Sequence, residues 1–210
     1  MNSMFVRGTA ENLFHQFLNR SNKNRPLLVG IDGLSGAGKT TFVKEIKQEL
    51  KGFNCEVKIF HLDEHIVERN KRYHTGYEEW YEYYYLQWDI GEIINRLLMP
   101  LHNSNHLDLS FYDKSDDSIS HRQIEVFTNS IILIEGVFLQ RKEWKSLFDY
   151  VIYINCPFEL RKERVLGRDS YIGDYHDRFK KYTDRYWPAE KHYLDTINPI
   201  SIADLVINIE

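Results

Sequence analysis

One short segment constrains the fold of this chain more than any other part of the sequence. Residues 33–40 read Gly-Leu-Ser-Gly-Ala-Gly-Lys-Thr and fit the pattern G-x-x-x-x-G-K-[ST]. An apolar run at residues 27–32 precedes the segment, and residues 39–51 follow it with helical periodicity. This order of strand, loop and helix is the context in which such a loop binds phosphate groups. The sequence therefore predicts a nucleoside-triphosphate site in an α/β fold.

The residue types in this segment suit phosphate binding. Gly36 and Gly38 can adopt backbone angles that a Cβ atom would forbid, so successive N–H groups can point at one phosphate. Lys39 adds a full positive charge near the β- and γ-phosphates, and the Thr40 hydroxyl can ligate Mg²⁺. We expect the nucleotide to be bound by these residues: Gly33, Ser35, Gly36, Ala37, Gly38, Lys39, Thr40 and Thr41.

Apolar runs and helix-length stretches alternate along the rest of the chain. The predicted strands are residues 27–32, 56–61, 130–135, 149–154 and 203–209, and the predicted helices are 39–51, 91–98 and 158–166. Two further alternating segments, 107–112 and 119–127, flank an acidic tip and predict a β-hairpin. This order predicts an α/β fold with a doubly wound, mainly parallel sheet, helices on both faces and a small inserted β-hairpin.

The amino-terminal part is predicted to precede this domain as a separate helix. Its apolar residues fall at helical spacing: Leu13, Phe14, Phe17 and Leu18. Thr9 is a candidate N-cap for the helix, and residues 21–26 form a polar linker. We therefore predict a helix and linker at 1–26 and one domain at 27–210, with the hairpin insertion at about 106–128.

Composition disfavours several classes of function. Lys and Arg number 27 and Asp and Glu number 31, so the net charge of −4 offers no uniform basic surface to a nucleic-acid backbone. Cys55 and Cys156 are the only cysteines, which indicates a reducing compartment rather than a disulfide framework. The sequence begins without the pattern of a secretory signal, and its best apolar run, 131–139, is too short to span a bilayer. We expect a cytoplasmic protein with no nucleic-acid or membrane partner.

Two carboxylates follow predicted strands at the edge where ligands of open α/β sheets bind. Glu135 ends an apolar strand and could hold Mg²⁺ directly or through water, the alternative being a structural capping residue. Asp63 follows strand 56–61 and is our candidate for the general base that accepts a proton from an attacking hydroxyl. Glu64 and Asp32 are competing candidates for that role.

Two other classes of site lack the residues they would need. A guanine-specific switch protein would carry an Asn-Lys-x-Asp motif and a later Asp-x-x-Gly, and the sequence has neither. His61, Asp63 and His65 alternate like a metal cluster, yet no further ligands at zinc-like spacing accompany them. A GTPase switch and a zinc site are therefore disfavoured.

Two residue sets allow both a structural and a functional interpretation. Arg161, Arg164 and Arg168 share one face of a predicted helix, where they could clamp a transferring phosphoryl group or simply face solvent. The stretch 73–88 is rich in tyrosine and tryptophan, which could stack on an acceptor ring or pack a helix against the sheet. For the aromatic stretch we favour core packing.

The order of these motifs resembles that of the uridine kinase-like family of P-loop kinases, which is related to phosphoribulokinase, pantothenate kinase and nicotinamide riboside kinase. The resemblance covers about residues 27–209. It rests on these segments: 33–41, His61-Leu-Asp63, Trp88-Asp89, Phe111-Tyr112-Asp113, Leu133-Ile-Glu135-Gly136-Val137, 161–169 and Ala203-Asp204-Leu-Val-Ile207. It implies a kinase that uses ATP and Mg²⁺ and transfers the γ-phosphoryl group to a hydroxyl of a small molecule.

The resemblance also implies roles for the residues that carry out the transfer. Asp63 would be the base that activates the acceptor hydroxyl, and Lys39 would contact the phosphates. A lid at about residues 158–175 would close over the phosphates and supply three arginines: Arg161 to the nucleotide, and Arg164 and Arg168 to catalysis.

The metal and the acceptor complete the implied site. Thr40 and Glu135 would hold Mg²⁺, and Asp89, Tyr112 and His121 would face the acceptor. The resemblance favours a nucleoside as acceptor. The alternatives are another small alcohol, such as pantothenate, a riboside vitamin or a sugar phosphate, and a nucleotide-dependent binding or regulatory module. A homo-oligomer is compatible with the sequence.

The acceptor side departs from the family pattern. Lys114 stands where an aromatic residue is expected after Tyr-Asp, and Val165 stands where a further arginine is expected. The segment 112–122 is also longer and more acidic than the pyrimidine pocket of a uridine kinase. The sequence therefore leaves the identity of the acceptor open.

Overall fold

The fold is built around a five-stranded parallel sheet. A computed structural model describes residues 3–210 of the chain. Its strands are β1 (Leu27–Gly33), β2 (Glu56–His61), β3 (His106–Asp113), β4 (Ser118–Glu125), β5 (Ser130–Glu135), β6 (Tyr150–Asn155) and β7 (Leu205–Asn208). In the large sheet the order is β2-β5-β1-β6-β7, and all neighbours pair in parallel. The predicted fold class is confirmed.

Helices cover both faces of this sheet. They are α1 (Ser3–Asn19), α2 (Lys39–Lys51), α3 (Arg69–Arg72), α4 (Glu79–Tyr85), α5 (Ile90–Glu92), α6 (Pro100–Asn103), α7 (Phe158–Arg168), α8 (Tyr175–Lys181), α9 (Trp187–Ile197) and α10 (Pro199–Ile202). Two π-helical segments, Ile93–Leu98 and Tyr182–Tyr186, and three 3-10 turns, Leu62–His65, Lys145–Leu147 and Ser170–Ile172, complete the described helical structure. Within residues 3–210 no helix is both long enough and apolar enough to cross a membrane.

Alternate residues of β1 enter two hydrophobic cores, one on each face of the sheet. Val29 and Ile31 pack with residues of α1 and α2, whereas Leu28 packs in the core that contains Trp88 and Phe138. All residues of β1 and of β5 are buried. A parallel strand that is covered on both faces has an almost continuous apolar sequence. This double burial explains why uninterrupted apolar runs identified these strands.

Helix α1 packs directly on the domain. Its buried apolar residues recur every three or four positions and join the same core as α2: Val6, Ala10, Leu13 and Phe17. The prediction that Thr9 is an N-cap is wrong. Thr9 lies inside the helix, where its hydroxyl donates to the Phe5 carbonyl at 3.0 Å, a bond that serine and threonine make within helices. Residues 1 and 2 of the predicted amino-terminal unit lie outside the described residues.

Strands β3 and β4 form the predicted hairpin. They pair in antiparallel register, with Leu107 opposite Ile124 and Tyr112 opposite Ile119. The hairpin is a separate two-stranded sheet and does not join the five-stranded one. The second strand is shorter than predicted, since β4 ends at Glu125 and the side chain of Phe127 is exposed beyond it.

Three adjacent strands bring the predicted site residues to one edge of the sheet. Glu135, the last residue of β5, lies in register with Ile31 of β1 and with His61 of β2. The loop at 33–40 leaves the end of β1, and Asp63 follows the end of β2. Carboxyl ends of parallel strands form the ligand-binding edge of open α/β sheets, so loop and carboxylates converge there.

Candidate active site

The phosphate-binding loop, residues 33–40, joins β1 to α2 through two glycines in the left-handed region. The φ angle is 78° at Gly36 and 100° at Gly38. A Cβ atom on Gly36 would lie 2.8 Å from the carbonyl oxygen of Arg161, so α7 approaches the loop too closely for a larger residue. Both positions therefore require glycine for conformation, and Gly36 also requires it for space. Such a backbone can turn successive N–H groups toward one anion.

Lys39 lies folded into this loop. Its Nζ donates to the carbonyl oxygen of Gly33 at 2.8 Å and to that of Leu34 at 3.2 Å, and its side chain is buried. A phosphate oxygen would offer the ammonium group a charge-assisted hydrogen bond, which is stronger than a bond to a neutral carbonyl. The position of Lys39 therefore suits the predicted contact with the nucleotide phosphates.

Glu135 accepts hydrogen bonds from two neighbours at the edge of the sheet. The Thr40 hydroxyl donates to its Oε1 at 2.9 Å, and His61 Nδ1 lies 2.7 Å from the same oxygen. Burial raises the pKa of Glu135, but the His61 bond, the charge of Lys39 and the Thr40 bond outweigh it and hold the pKa below its usual value. The Glu135 hydrogen bond raises the pKa of His61 in turn, against the effect of burial.

The oxygen atoms of Thr40 and Glu135 suit Mg²⁺. This cation takes oxygen ligands, and proteins usually hold it through one or two carboxylates together with substrate phosphates. Among residues 3–210, no group of three or more His, Cys, Asp and Glu side chains could hold a metal ion by itself. A donor set of one hydroxyl and one ionised carboxylate beside a phosphate-binding loop therefore fits a magnesium ion shared with a nucleotide.

Asp63 lies in the 3-10 turn Leu62–His65 and faces the cavity beside the loop. Its side chain is open to this cavity, yet the surrounding protein limits its hydration. Limited hydration and the neighbouring Glu135 carboxylate raise the pKa of Asp63, whereas the charges of Lys39 and Arg168 oppose the rise. A carboxylate with a raised pKa is a stronger proton acceptor than an ordinary aspartate, which suits the predicted general base.

The two competing carboxylates differ in their surroundings. Asp32 is fully buried: Gly33 N–H donates to its Oδ1 at 2.8 Å, and the Tyr193 hydroxyl donates to its Oδ2 at 2.5 Å. It does not line the cavity, so its position is that of a structural residue rather than of a base for a bound acceptor. Glu64 lines the same cavity as Asp63 and remains a competitor.

Arg161 forms a buried ion pair with Glu190 behind the phosphate-binding loop, and both residues bond to the backbone of Ser35; we call this group of three residues the brace. Arg161 Nη1 donates to Glu190 Oε2 at 2.7 Å and to the Ser35 carbonyl at 3.2 Å. The other oxygen of Glu190 accepts the Ser35 N–H at 2.7 Å. Arg161 and Glu190 are both almost fully buried. In this conformation Arg161 contacts the loop backbone, and its contact with the nucleotide remains a prediction.

The other two arginines of α7, Arg164 and Arg168, are exposed. Arg164 Nη1 donates to the Gly36 carbonyl at 3.1 Å, which places the guanidinium against the outside of the phosphate-binding loop. Arg168 lines the cavity, and its Nε donates to Asp169 Oδ1 at 2.7 Å. That bond raises the pKa of Arg168 further above its usual value. Arg164 thus contacts the loop and Arg168 lines the cavity beside it, and both positions suit the predicted contacts with phosphates.

A cavity of about 870 Å³ opens beside Asp63. This volume lies within the range of about 300–1,000 Å³ that is common for small-molecule sites. Its walls come from the segment after β2, from the hairpin, and from the chain between α7 and α9. Tyrosine side chains contribute much of the lining: Tyr73, Tyr83, Tyr112, Tyr171, Tyr182 and Tyr186.

The three predicted acceptor residues do not lie together. Tyr112 lines the cavity, and its hydroxyl accepts from Arg72 Nη2 at 3.1 Å. Asp89 is the N-cap of α5, where it accepts the Glu92 N–H at 2.9 Å. His121 is exposed on β4, with its Nδ1 at 3.4 Å from the Ser110 hydroxyl. Neither Asp89 nor His121 lines the described cavity, so both remain predictions without a contact to it.

The histidines near Asp63 have different partners. His61 contacts Glu135, whereas His65 is buried and its Nδ1 lies 2.7 Å from the Ser110 carbonyl. Burial lowers the pKa of His65. The alternation of His61, Asp63 and His65 therefore reflects the turn after β2 rather than a shared ligand.

The aromatic stretch 73–88 is divided between the core and the cavity. Tyr84 and Trp88 are buried in the larger core, and the Trp88 indole donates to the Leu62 carbonyl at 3.0 Å. Tyr83 belongs to that core and also lines the cavity. Tyr73 is partly exposed and lines the cavity. The favoured interpretation, core packing, therefore holds for Tyr83, Tyr84 and Trp88, whereas Tyr77 is exposed to solvent.

Sequence reasoning missed two sets of residues. Glu190 lies in α9 without a recognisable motif, and its role depends on a contact with Ser35 across 155 positions. The cavity wall formed by Arg69 and Arg72 follows a loop whose path no periodicity indicated. One indication of this wall was present in the sequence: Lys114, which also lines the cavity, stands where the family pattern has an aromatic residue.

A family model decides the classification of this chain. The model described as the Phosphoribulokinase / Uridine kinase family matches residues 28–209. The chain belongs to this family. The match covers the domain from β1 to the end of the last strand, and the resemblance predicted from the motifs is thereby confirmed.

Individual relatives agree with this classification. A uridine kinase of Staphylococcus aureus strain JH9 is 26% identical over 185 residues, which are 82% of this chain and 86% of the relative. The structure of a possible uridine kinase from Bacillus stearothermophilus is 42% identical, covers 96% of this chain and 98% of its own, and has a TM-score of 0.79. A D-glycerate 3-kinase from Cryptococcus neoformans var. grubii shares the fold, at 14% identity over 97% of this chain and 95% of its own, with a TM-score of 0.67.

Proposed function

We propose that this chain transfers the γ-phosphoryl group of ATP to a hydroxyl of a small, sugar-like alcohol that binds in the cavity beside Asp63. Family membership supports a small-molecule kinase. The single observation that carries the proposal is the position of Asp63. It faces a cavity of about 870 Å³ at the same sheet edge as the phosphate-binding loop and Glu135.

The proposed reaction is an in-line transfer between two oxygens. A bond forms between the acceptor oxygen and Pγ, and the bond between Pγ and the bridging oxygen of ADP breaks. The proton of the acceptor hydroxyl passes to Asp63, and ADP leaves with the electron pair of the broken bond. The raised pKa of Asp63 favours its acceptance of that proton.

The chain's own residues supply positioning and positive charge. Loop N–H groups and Lys39 bind the phosphates, while Arg164 and Arg168 offset the charge that spreads over the transferring oxygens. Thr40 and Glu135 would hold Mg²⁺. When bound, the ion would neutralise part of the charge on the phosphate groups.

The acceptor is proposed to contain a sugar or a similar ring. Tyrosine side chains line the cavity and offer aromatic and hydroxyl contacts to such a group. Two relatives carry uridine kinase in their names, which supports a nucleoside as the first acceptor to test. Asp89 and His121 remain candidate contacts of this acceptor, although neither lines the cavity.

The test is acceptor-dependent formation of ADP together with direct detection of the phosphorylated product. The panel contains nucleosides, riboside vitamins, pantothenate and sugar phosphates, each with Mg·ATP. We expect at least one alcohol to accelerate ADP formation and to gain one phosphoryl group per ADP. A panel without any product, despite tight binding of ATP, would overturn the proposal and favour a nucleotide-dependent binding module.

A further inference from the structure

The wall of the cavity formed by the hairpin and α3 contains a buried cation without a carboxylate partner. Arg72 is 5% exposed and lines the cavity. Its Nε donates to the Val67 carbonyl at 2.8 Å, and its Nη2 donates to the Tyr112 hydroxyl at 3.1 Å. Nη1 has no hydrogen bond to the described residues, and no described carboxylate forms an ion pair with this guanidinium. A buried charge without a directly bonded carboxylate is costly, so an anionic group that entered the cavity would be stabilised beside Arg72.

Neighbouring cations add to this excess of positive charge. Arg69 and Lys114 line the same wall, and Arg69 Nη2 donates to the Lys114 carbonyl at 2.9 Å. Lys114 has no ion pair within residues 3–210, and its Nζ lies 3.0 Å from the centre of the Tyr171 ring. Burial lowers the pKa of Lys114, and the charges of Arg69 and Arg72 add to this effect while Asp169 opposes it.

Two carboxylates near this wall, Asp117 and Asp169, already accept hydrogen bonds, whereas Asp63 and Glu64 line the same cavity without an ion pair among the described residues. Asp117 accepts the Arg69 N–H at 2.9 Å and the Tyr112 hydroxyl at 3.0 Å, so its hydrogen-bonded link to Arg72 passes through Tyr112, although the Arg72 charge also helps to lower the pKa of Asp117. Asp169 accepts from Arg168 and, at 2.5 Å, from the Tyr182 hydroxyl. Arg72 and Lys114 are therefore available to pair with an anionic group that enters the cavity.

We propose that the acceptor carries an anionic group, a phosphate ester or a carboxylate, which Arg72 and Lys114 bind at the cavity wall formed by the hairpin and α3. The hydroxyl would lie at Asp63, in the same cavity. Lys114 occupies the position where the family pattern has an aromatic residue, which suits a change from stacking on a neutral ring to pairing with an anion. The inference rests on the proposed kinase function and narrows its acceptor class.

The test compares acceptors in matched pairs that differ only in an anionic group. The pairs are glycerol and glycerate, ribose and its terminal phosphate ester, and uridine and a uridine phosphate with a free primary hydroxyl. We expect the anionic member of at least one pair to have a kcat/KM about tenfold or more above that of its neutral partner. The first pair reports a carboxylate, and the other two report a phosphate ester.

Variants at Lys114 assign the preference to this wall. Lys114→Met keeps a chain that packs on Tyr171 but removes the charge, so the KM for the anionic acceptor should rise about tenfold with little change for the neutral one. Lys114→Arg should restore the preference. Lys191→Met, on the exposed face of α9, is the control and should change neither KM. The Arg72→Gln variant tests the buried cation, provided that the variant folds. If it does not fold, the Lys114 variants still test the proposal, because Lys114 is exposed.

Binding without turnover separates this inference from the kinase proposal. Thermal unfolding is followed with Mg·ADP and one member of a pair. If the anionic member stabilises the protein and Lys114→Met loses this stabilisation, the inference is supported, even without turnover. The absence of product in every kinase assay would overturn only the kinase proposal. Equal binding or equal kcat/KM for both members of every pair, unaffected by Lys114→Met, would overturn the inference.

Discussion

The Thr40 hydroxyl donates a hydrogen bond of 2.9 Å to Glu135 and so joins the phosphate-binding loop to the end of β5. The loop was identified by its motif, but Glu135 was identified only by its place after an apolar strand. Their contact brings a hydroxyl and an ionised carboxylate to one point. This is the arrangement that a magnesium ion shared with phosphates requires.

Replacement of Glu135 tests this metal site. Glu135→Gln keeps the shape and an acceptor for Thr40 but removes the charge, so the Mg²⁺ concentration for half-maximal activity should rise about tenfold or more. Binding of ATP without Mg²⁺, measured with a fluorescent analogue, should change little. Glu11→Gln on α1 is the control. An unchanged Mg²⁺ dependence would remove Glu135 from the metal site.

The brace behind the loop leads to a second prediction. Glu190→Gln leaves the buried Arg161 without its counter-charge, so the free energy of unfolding should fall by about 3 kcal/mol. The same change loosens Ser35, and the KM for ATP should rise several-fold while the KM for the acceptor stays constant. Chemical denaturation and steady-state kinetics measure the two effects. A loss of stability with an unchanged KM for ATP would restrict the brace to a structural role.

The sequence predicted the fold and one half of the site. Gly36, Gly38 and Glu135 were predictable because local patterns, a loop motif and an apolar strand, determine their positions. The role of Glu190 was not predictable, because it depends on a contact between segments far apart in the chain. Thr9 was assigned wrongly, since a threonine hydroxyl can bond either at a helix start or one turn back within a helix.

Acid should weaken the fold through Asp149. Asp149 accepts from Arg25 Nη1 at 2.7 Å and from the Leu28 N–H at 2.9 Å, and these bonds hold its pKa below the usual value despite burial. A lowered carboxyl pKa stabilises the fold at pH values above the pKa of the unfolded chain, and this contribution is lost as pH falls through the folded pKa. Asp149→Asn should lower the free energy of unfolding at neutral pH by about 1–2 kcal/mol. Denaturation of both proteins across the acid range should show the difference shrinking as pH falls; a constant difference would contradict the assignment.

The pH dependence of turnover should report Asp63. Limited hydration and Glu135 raise its pKa above the usual 3.8, so the protonated, inactive form persists to a higher pH than for an ordinary aspartate. The rate should therefore fall on the acid side with a midpoint above that value. The pKa of Glu135 is shifted in the opposite direction, below its usual value. The Asp63→Asn variant has no carboxyl at this position. If its residual activity shows the same fall on the acid side, the assignment is contradicted.

The most direct test of the central claim measures phosphorylated acceptor in Asp63→Asn and in Glu64→Gln, with ATP binding measured in both. The two carboxylates are neighbours and both line the cavity, but only Asp63 is proposed to take the proton. We predict that Asp63→Asn binds ATP like the unmodified protein and loses about 100-fold or more in kcat, whereas Glu64→Gln keeps most of its activity. Full turnover by Asp63→Asn would contradict the account.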